Sequence, residues 1–207
     1  MKPGEVFSRI AGRYDVVNRL LSLGGDRAWR QSAIAHLPAG RVLDLGAGTG
    51  VADFGTRRVV ALDPSPPMLA RNPQRRRVAG YGERLPFADA CFDGVFAAFV
   101  FRNLESVGRT LAEVHRVLRP GGAAAMIDLG RPPTRWRRAL HRAGTALLLP
   151  VVGTLVGSPR EYWYLHRSLD ALPQPEAFLA DSPLVLERVW RMGPLGFVYG
   201  VVLRKRG

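Results

Sequence analysis

The chain has 207 residues, which suits one domain, and its 47% hydrophobic content is enough for a core and excludes wholesale disorder. Thirty Lys and Arg against 17 Asp and Glu give a formal net charge of +13, and all of these cations except Lys2 and Lys205 are arginines. This charge is typical of proteins that bind nucleic acid or an anionic membrane surface, and an Arg-rich coding bias is the alternative explanation.

Several classes of protein are excluded by residues that are missing or badly spaced. The lone cysteine, Cys91, excludes an internal disulfide framework and a cysteine-based zinc site. The four histidines have no ligand spacing, so we assign no metal site. The longest apolar stretch, Ala143–Gly157, is shorter than the roughly 18 residues of a membrane-spanning helix, and the first residues lack an apolar signal segment. We therefore expect a cytoplasmic protein that is not integral to a membrane.

Helix-like and strand-like patterns alternate along the chain, which predicts an α/β layer fold. Apolar spacing predicts a helix over 6–23, and Asp26 is placed to cap a second helix that ends near Leu37. Further helices are predicted over 105–118, 134–149 and 158–172. Strands are predicted over 41–45, 59–62, 92–100, 123–129 and, as a terminal antiparallel pair at the sheet edge, 184–192 and 196–203.

A glycine loop joins the first two predicted strands. The first strand runs into Gly46-Ala47-Gly48-Thr49-Gly50, and the second ends at Asp63. Glycines let the backbone turn sharply and approach a ligand, and an acid after the second strand can accept hydrogen bonds from both ribose hydroxyls. Val51 stands where a dinucleotide-binding loop needs its last glycine. The loop therefore predicts a different nucleotide, with an ordinary strand-to-helix turn as the structural alternative.

The G-x-G-x-G spacing after Val42–Leu45 resembles motif I of the class I S-adenosylmethionine-dependent methyltransferases. Asp63–Leu69 resembles the D-x-S-x-x-M-L segment of the same class, and Arg116–Gly122 resembles the turn before its fifth strand. This resemblance implies an S-adenosylmethionine cofactor. It also implies a Rossmann-like fold, with a mostly parallel seven-stranded sheet, an antiparallel edge strand and helices on both faces.

Flanking segments resemble one family of that class, the ubiquinone/menaquinone biosynthesis C-methyltransferases. Residues 6–18 match V-F-x-x-I-A-x-x-Y-D-x-x-N, Phe99–Asn103 is similar to F-G-L-R-N, and Tyr162–Pro173 resembles Y-x-Y-L-x-x-S-x-x-x-x-P. The resemblance extends from about residue 6 to 178. It implies methylation of a ring carbon of a prenylated hydroquinone, which we expect to be demethylmenaquinol. The alternative is another small aromatic or lipid acceptor, including the ubiquinone-pathway benzoquinol.

The resemblance also implies roles for individual residues. The methionine end of the cofactor would be lined by Asp44, Gly46, Gly48 and Thr49, its ribose held by Asp63, and its adenine contacted by Tyr81 and Gly82. Acceptor chemistry would fall to Arg102 and Asn103, to Asp128 as a candidate base, and to Tyr14 and Tyr164 as pocket walls. The structural alternatives are that Asp128 only pairs with an arginine and that the two tyrosines belong to the core.

Two departures from the family pattern concern cofactor affinity more than fold. Only Val51–Val60 separates the glycine loop from the end of the second strand, so the intervening helix is predicted to be little more than one turn. Tyr81 stands where relatives carry Asp or Asn, and it would either stack on adenine or block it. Ala98 similarly replaces a frequent Ser.

The domain prediction is one methyltransferase domain over 1–207, with an N-terminal helical cap over about 1–38 and a lid-like insertion over about 131–180. The arginines of the helix over 134–149 predict contact with an anionic membrane, and ordinary packing on the sheet is the alternative.

A non-catalytic relative that binds lipid or a partner is a rival hypothesis. A nucleic-acid methyltransferase rests on charge alone, so no nucleic acid is expected. A homodimer is left open.

Overall fold

The structure is a computed structural model that describes residues 22, 24–155, 169–170 and 173–207. Of the predicted elements, the helices over 6–23 and 158–172 lie almost wholly outside the described residues. Tyr14 and Tyr164 lie outside them too, so their roles as pocket walls stay predictions.

One seven-stranded sheet organises the described part of the chain. Its strands, in chain order, are β1 (Arg41–Leu45), β2 (Arg58–Asp63), β3 (Arg76–Ala79), β4 (Phe92–Ala98), β5 (Leu118–Leu129), β6 (Val185–Met192) and β7 (Val198–Arg204). The helices are α1 (Asp26–Ile34), α2 (Pro66–Leu69), α3 (Val107–Val117), α4 (Arg135–Leu155) and α5 (Pro175–Phe178), with 3-10 turns at Phe101–Asn103 and Pro194–Gly196.

The strand order is β3-β2-β1-β4-β5-β7-β6. Strands β1 to β5 are parallel to their neighbours, whereas β7 is antiparallel to both β5 and β6. The expected sheet, mostly parallel with an antiparallel pair at one edge, is therefore confirmed. Chain connections leave in opposite directions on the two sides of the β1–β4 boundary, and ligands of open α/β sheets bind at the carboxyl ends of such strands.

Both faces of the central strands are buried, which explains why strands such as β1, β2 and β4 read as apolar runs instead of alternating patterns. Successive residues of β1 point to opposite sides: Val42 packs with α1 residues such as Ile34, while Leu43 packs with α3 residues such as Leu111. The helices thus cover both faces and leave the carboxyl edge of the strands to carry polar groups.

The prediction of a short helix after the glycine loop is wrong. Residues 51–57 contain no helix, although Ala52 and Phe54 are buried, and the Phe54 ring packs edge-on against Phe96 at 5.5 Å. The reason is reach: a helix advances about 1.5 Å per residue, while an extended chain advances about 3.3 Å. The link must return along the length of the sheet, so the ten residues available are used in extended and turn conformations.

The ends of several elements also differ from prediction. Asp26 does not cap α1; it is the first helical residue, after Gly25, and its carboxylate accepts a hydrogen bond from Arg30 Nε at 2.9 Å. Helix α1 ends at Ile34 instead of Leu37, and α4 continues through Pro150 to Leu155. Strand β3 was not predicted, because its Arg-rich sequence hides a short edge strand.

Within the described residues, none of the helices combines the length and the apolar composition that a membrane-spanning helix requires.

A pair of leucine substitutions tests the packing of the sheet's α3 face. Leu111 in α3 is buried, whereas Leu140 in α4 is exposed, and both are helical. Leu111→Ala should lower the free energy of unfolding by about 2–5 kcal/mol, because it removes buried methyl groups and leaves a cavity. Leu140→Ala, the matched control, should change it by less than about 0.5 kcal/mol. Urea unfolding of both variants measures the difference, and equal losses would contradict the assigned packing.

Candidate functional site

The glycine loop is bound to the end of β2 by backbone hydrogen bonds. The amides of Gly46 and Ala47 donate to the Leu62 carbonyl oxygen at 2.8 and 3.0 Å. The Asp63 carboxylate then accepts two more bonds, from the Gly48 amide at 2.9 Å and from the Ser65 amide at 2.8 Å. Asp63 therefore fixes the loop and the start of α2 at the same time.

Two glycines of the loop are required for different reasons. A Cβ built on Gly46 would lie 2.5 Å from Val100 Cγ2, so this position has no space for a side chain. Around Gly48 the nearest atom to such a Cβ is Met68 Cε at 3.6 Å, and its φ of +53° favours glycine. The backbone of Gly48 is thus open to the close approach of a ligand.

Asn72, which the sequence analysis did not select, completes the loop. Its side-chain amide donates to the Gly48 carbonyl oxygen at 3.1 Å, and the residue is buried. This asparagine follows α2 and belongs to none of the sequence motifs described above, so only the folded structure shows its contact with the loop.

Asp44 is a buried carboxyl group beside this loop. Burial raises its pKa from 3.8 to about 7, and the neighbouring negative charge of Asp63 adds to the increase, while the positive charge of Arg30 opposes it. Arg30 also stacks over the Phe99 ring, with its guanidinium carbon 5.2 Å from the ring centroid. Because the pKa of this carboxyl group is near 7, a cationic ligand beside it would strongly favour its ionised form.

The pKa of Asp63 is raised as well. Burial is the larger cause, and the hydrogen bonds from Ser65 and Gly48 partly offset it by stabilising the carboxylate. Two carboxyl groups therefore share a dry region at the carboxyl ends of β1 and β2.

Tyr81 and Gly82 lie in the loop that follows β3. The Tyr81 side chain is 63% exposed, which leaves its ring available to a ligand. Gly82 packs closely on α3, since a Cβ there would lie 3.0 Å from Thr110 Cγ2. Glu83 ties the loop to the start of α3, because its Oε1 accepts hydrogen bonds from the amides of Glu105 and Ser106 at 2.9 and 3.3 Å.

A buried ion pair joins the ends of β4 and β5. Arg102 Nε donates to Asp128 Oδ1 at 2.8 Å, and the two side chains are 8% and 0% exposed. The Leu129 amide donates to the same oxygen at 2.7 Å. Burial nonetheless raises the pKa of Asp128, against the lowering effect of the Arg102 charge. The structure therefore shows the pairing with an arginine, and the role of Asp128 as a base stays a prediction.

Asn103 holds the turn that presents Arg102. Its side-chain amide donates to the Phe99 carbonyl oxygen at 3.2 Å, and Phe99 has a φ of +63°, which is unusual for a residue with a side chain. Backbone strain of this kind concentrates at functional sites.

The described fold thus brings most of the predicted residues to one edge of the sheet. Around the glycine loop lie Asp44, Gly46, Gly48, Thr49 and Asp63; the β3 and β4–β5 ends supply Tyr81, Gly82, Arg102, Asn103 and Asp128. The sequence analysis missed Arg30, Asn72 and Glu83. Arg30 and Glu83 lie in segments, Arg27–Arg30 and Glu83–Phe87, that also resemble the family pattern, whereas no motif includes Asn72.

Comparisons with known proteins agree with this geometry. The model of the ubiE/COQ5 methyltransferase family matches residues 1–181. The demethylmenaquinone methyltransferase of Thermus thermophilus is 37% identical over 84% of this chain and 88% of its own. The protein of the same name from Deinococcus radiodurans is 40% identical over 83% of this chain and 79% of its own.

Solved structures show the same fold at lower identity. A possible histamine N-methyltransferase of Thermotoga maritima, an S-adenosylmethionine-dependent methyltransferase, is similar with a TM-score of 0.71 and 17% identity, covering 98% of this chain and 99% of its own. The expected Rossmann-like fold is confirmed. The chain belongs to the ubiE/COQ5 methyltransferase family and is an S-adenosylmethionine-dependent methyltransferase.

Proposed function

We propose that this enzyme methylates a ring carbon of a prenylated naphthohydroquinone, demethylmenaquinol. The observation that carries the proposal is the buried Arg102–Asp128 pair, which lies at the same sheet edge as the glycine loop and can take a hydroxyl proton beside a fixed cation. The names of the relatives from Thermus and Deinococcus support the same acceptor.

The residues around the glycine loop fit S-adenosylmethionine. The cofactor supplies a methyl group that its positive sulfonium already activates, so no covalent intermediate on the protein is needed. Asp44 would face the cationic methionine end, and the open backbone of Gly48 and the adjacent Thr49 would let that end approach closely. Asp63 would hold the ribose, with the exposed Tyr81 ring and Gly82 at the adenine.

Asp128 and Arg102 would serve the acceptor. A phenolate attacks through its ring carbon more readily than a phenol, and a carboxylate whose pKa is raised by burial is a stronger base for removal of the hydroxyl proton. Asp128 would take that proton, and the Arg102 charge would stabilise the oxygen left behind. Asn103 would act by fixing the turn at Phe99.

The alternative acceptor is a benzoquinol. A relative from Geobacter sulfurreducens, named ubiquinone/menaquinone biosynthesis C-methyltransferase UbiE, is 36% identical over 85% of this chain. A non-catalytic relative that binds lipid or a partner is the remaining rival. It is motivated by the missing helix after the glycine loop and by Tyr81, and turnover with either quinol would exclude it.

A methyl-transfer assay with both acceptor types tests the proposal. Demethylmenaquinol should be methylated in the presence of S-adenosylmethionine, and the benzoquinol with the same side chain should react more slowly. Asp128→Asn should lower kcat by about 10²–10⁴-fold, as expected when a general base is lost. Arg204→Met serves as the control, because Arg204 lies at the end of β7 that is remote from Asp128. No product with either quinol would contradict the proposal.

The pKa of Asp44 predicts a pH dependence of stability. Because the folded-state pKa is about 7 and the ordinary value is 3.8, the folded state binds this proton more tightly. The contribution of the neutral carboxyl group is complete below pH 3.8 and is lost as pH rises toward 7, on the order of 4 kcal/mol. Urea unfolding from pH 4 to 8 should therefore show a decline for the wild type relative to Asp44→Asn. Parallel curves for the two proteins would contradict the assignment.

The same group predicts proton release on cofactor binding. A cation beside Asp44 favours its ionised form, so calorimetric titration near pH 7 in buffers of different ionisation enthalpy should detect proton release. Asp44→Asn should abolish that release. A wild type that binds S-adenosylmethionine without releasing a proton would remove Asp44 from the cofactor site.

We further propose that α4, part of the lid-like insertion predicted over about 131–180, contacts an anionic membrane that holds the prenyl tail. Apolar side chains on this helix are exposed to solvent, and the exposed fraction of Trp136 is 61%. The other exposed apolar residues of the helix are Leu140, Leu147, Leu148 and Val151. Exposed arginines accompany them, and the Arg137 guanidinium lies 5.2 Å from the centre of the Trp136 ring. Apolar and basic groups together suit a lipid interface. The homodimer left open above also stays a prediction.

Vesicle binding tests this contact with matched charge changes. Arg135→Gln with Arg137→Gln should weaken binding to vesicles containing anionic lipid by about tenfold or more, at about 1 kcal/mol per arginine. Arg75→Gln with Arg76→Gln removes the same charge near the β3 edge and should have little effect. Equal losses in the two double variants would indicate a response to net charge alone and would contradict a role for α4.

A further inference from the structure

Three polar atoms on neighbouring strands, one of them in the Arg102–Asp128 pair itself, are buried, and none of them has a hydrogen-bond partner among the described residues. They are Asp128 Oδ2, the Tyr199 hydroxyl oxygen and Arg191 Nη1. Asp128 lies opposite Tyr199 in the β5–β7 register, and Tyr199 lies opposite Arg191 in the β7–β6 register. A buried polar atom without a partner destabilises a fold by about 1–3 kcal/mol, so three on adjacent strands point to a bound group.

The surroundings hold these side chains in place. Arg191 Nη2 donates to Gln174 Oε1, and the Arg191 guanidinium carbon lies 5.6 Å from the centre of the Tyr199 ring. The ring of Phe178, in α5, packs against both Tyr199 and Phe101 at centroid distances of 6.4 and 5.5 Å. The polar atoms are therefore next to aromatic side chains that suit a flat apolar ring.

The three atoms match the hydrogen-bonding capacity of one phenolic hydroxyl. Such a group donates one hydrogen bond and accepts two. Asp128 Oδ2 is an acceptor, while Arg191 Nη1 and the Tyr199 hydroxyl are donors. A water molecule could satisfy the same atoms, but it would make no use of the adjoining aromatic rings.

We propose that Tyr199 and Arg191, together with Asp128, bind the reacting hydroxyl of the acceptor hydroquinone. This inference rests on the proposed function and extends it to two residues of the antiparallel strand pair. In the step it describes, the O–H bond breaks, the proton moves to Asp128 Oδ2, and the electron pair stays on the oxygen. Tyr199 and Arg191 donate hydrogen bonds to the resulting phenolate. Donors placed where charge develops are among the strongest contributors to catalysis.

Ligand binding separates this proposal from the overall reaction. The probes are 2-prenyl-1,4-naphthohydroquinone, kept reduced under anaerobic conditions, and its 1,4-dimethyl ether, which cannot donate a hydrogen bond. The wild type should prefer the hydroquinone by about tenfold or more, because a site built for a hydroxyl discriminates against analogues that lack it. Tyr199→Phe should lose most of that preference while binding the ether as the wild type does.

Stability provides the readout that a purely structural role would not share. Tyr199→Phe removes a hydroxyl that has no partner in the described fold, so its melting temperature should equal or exceed that of the wild type. Its kcat/KM for the hydroquinone should nevertheless fall by about 10–100-fold. The affinity for S-adenosylmethionine should not change.

Arg191→Met is the second variant, since its side chain is 20% exposed and tolerates replacement more readily than a core residue. Arg204→Met on β7 is the matched control, because Arg204 lies at the far end of the same strand pair. The proposal predicts weaker hydroquinone binding for Arg191→Met and unchanged binding for Arg204→Met.

The outcomes distinguish a failure of the hydroquinone-binding site from a failure of the proposed function. Hydroquinone binding that depends on Tyr199 and Arg191 without any methyl transfer would support the binding site and contradict the proposed function. Normal turnover by both variants, with an unchanged preference for the hydroquinone, would overturn the site and leave the function standing. A wild type that binds the hydroquinone no better than its ether would also overturn the site.

Discussion

The desolvation of three carboxyl groups at one edge of the sheet determines how the rest of the site is arranged. Asp44, Asp63 and Asp128 lie near the ends of β1, β2 and β5, and burial raises the pKa of each. A buried charge needs compensation. The chain supplies a different kind for each group: the field of an arginine at Asp44, backbone amides at Asp63, and an ion pair at Asp128.

The parts of this arrangement that were predictable from sequence are local. Strands such as Arg41–Leu45 stand out because burial on both faces demands an unbroken apolar run, and the glycine loop with Asp63 has a fixed spacing. Strand β3 was not predicted because its side chains are mostly charged and exposed. The helix predicted after the glycine loop is absent because sequence periodicity carries no information on the distance between the end of β1 and the start of β2. Contacts such as Asn72 with Gly48, or Tyr199 opposite Asp128, depend on register between distant segments and appear only in the fold.

The antiparallel strands β6 and β7 place a second set of polar side chains at the carboxyl edge of the parallel strands. Because β7 runs against β5, its first residues, and not its last, lie beside the carboxyl end of β5. Tyr199 therefore lies opposite Asp128 near the beginning of β7, and Arg191 lies opposite Tyr199 near the end of β6. In the proposed reaction, the cofactor would lie against β1 and β2 and the acceptor against β5, β7 and β6.

In the proposed site, the raised pKa of Asp44 would affect the charge of the site through a catalytic cycle. A carboxyl group next to the methyl donor would lose one neighbouring positive charge when the sulfonium becomes a neutral thioether. Because the pKa of Asp44 is about 7, this carboxyl group would then take up a proton. In the proposed site, this uptake would keep the buried region close to electrical balance after transfer, and it would weaken the attraction for the spent donor, whose ammonium group remains.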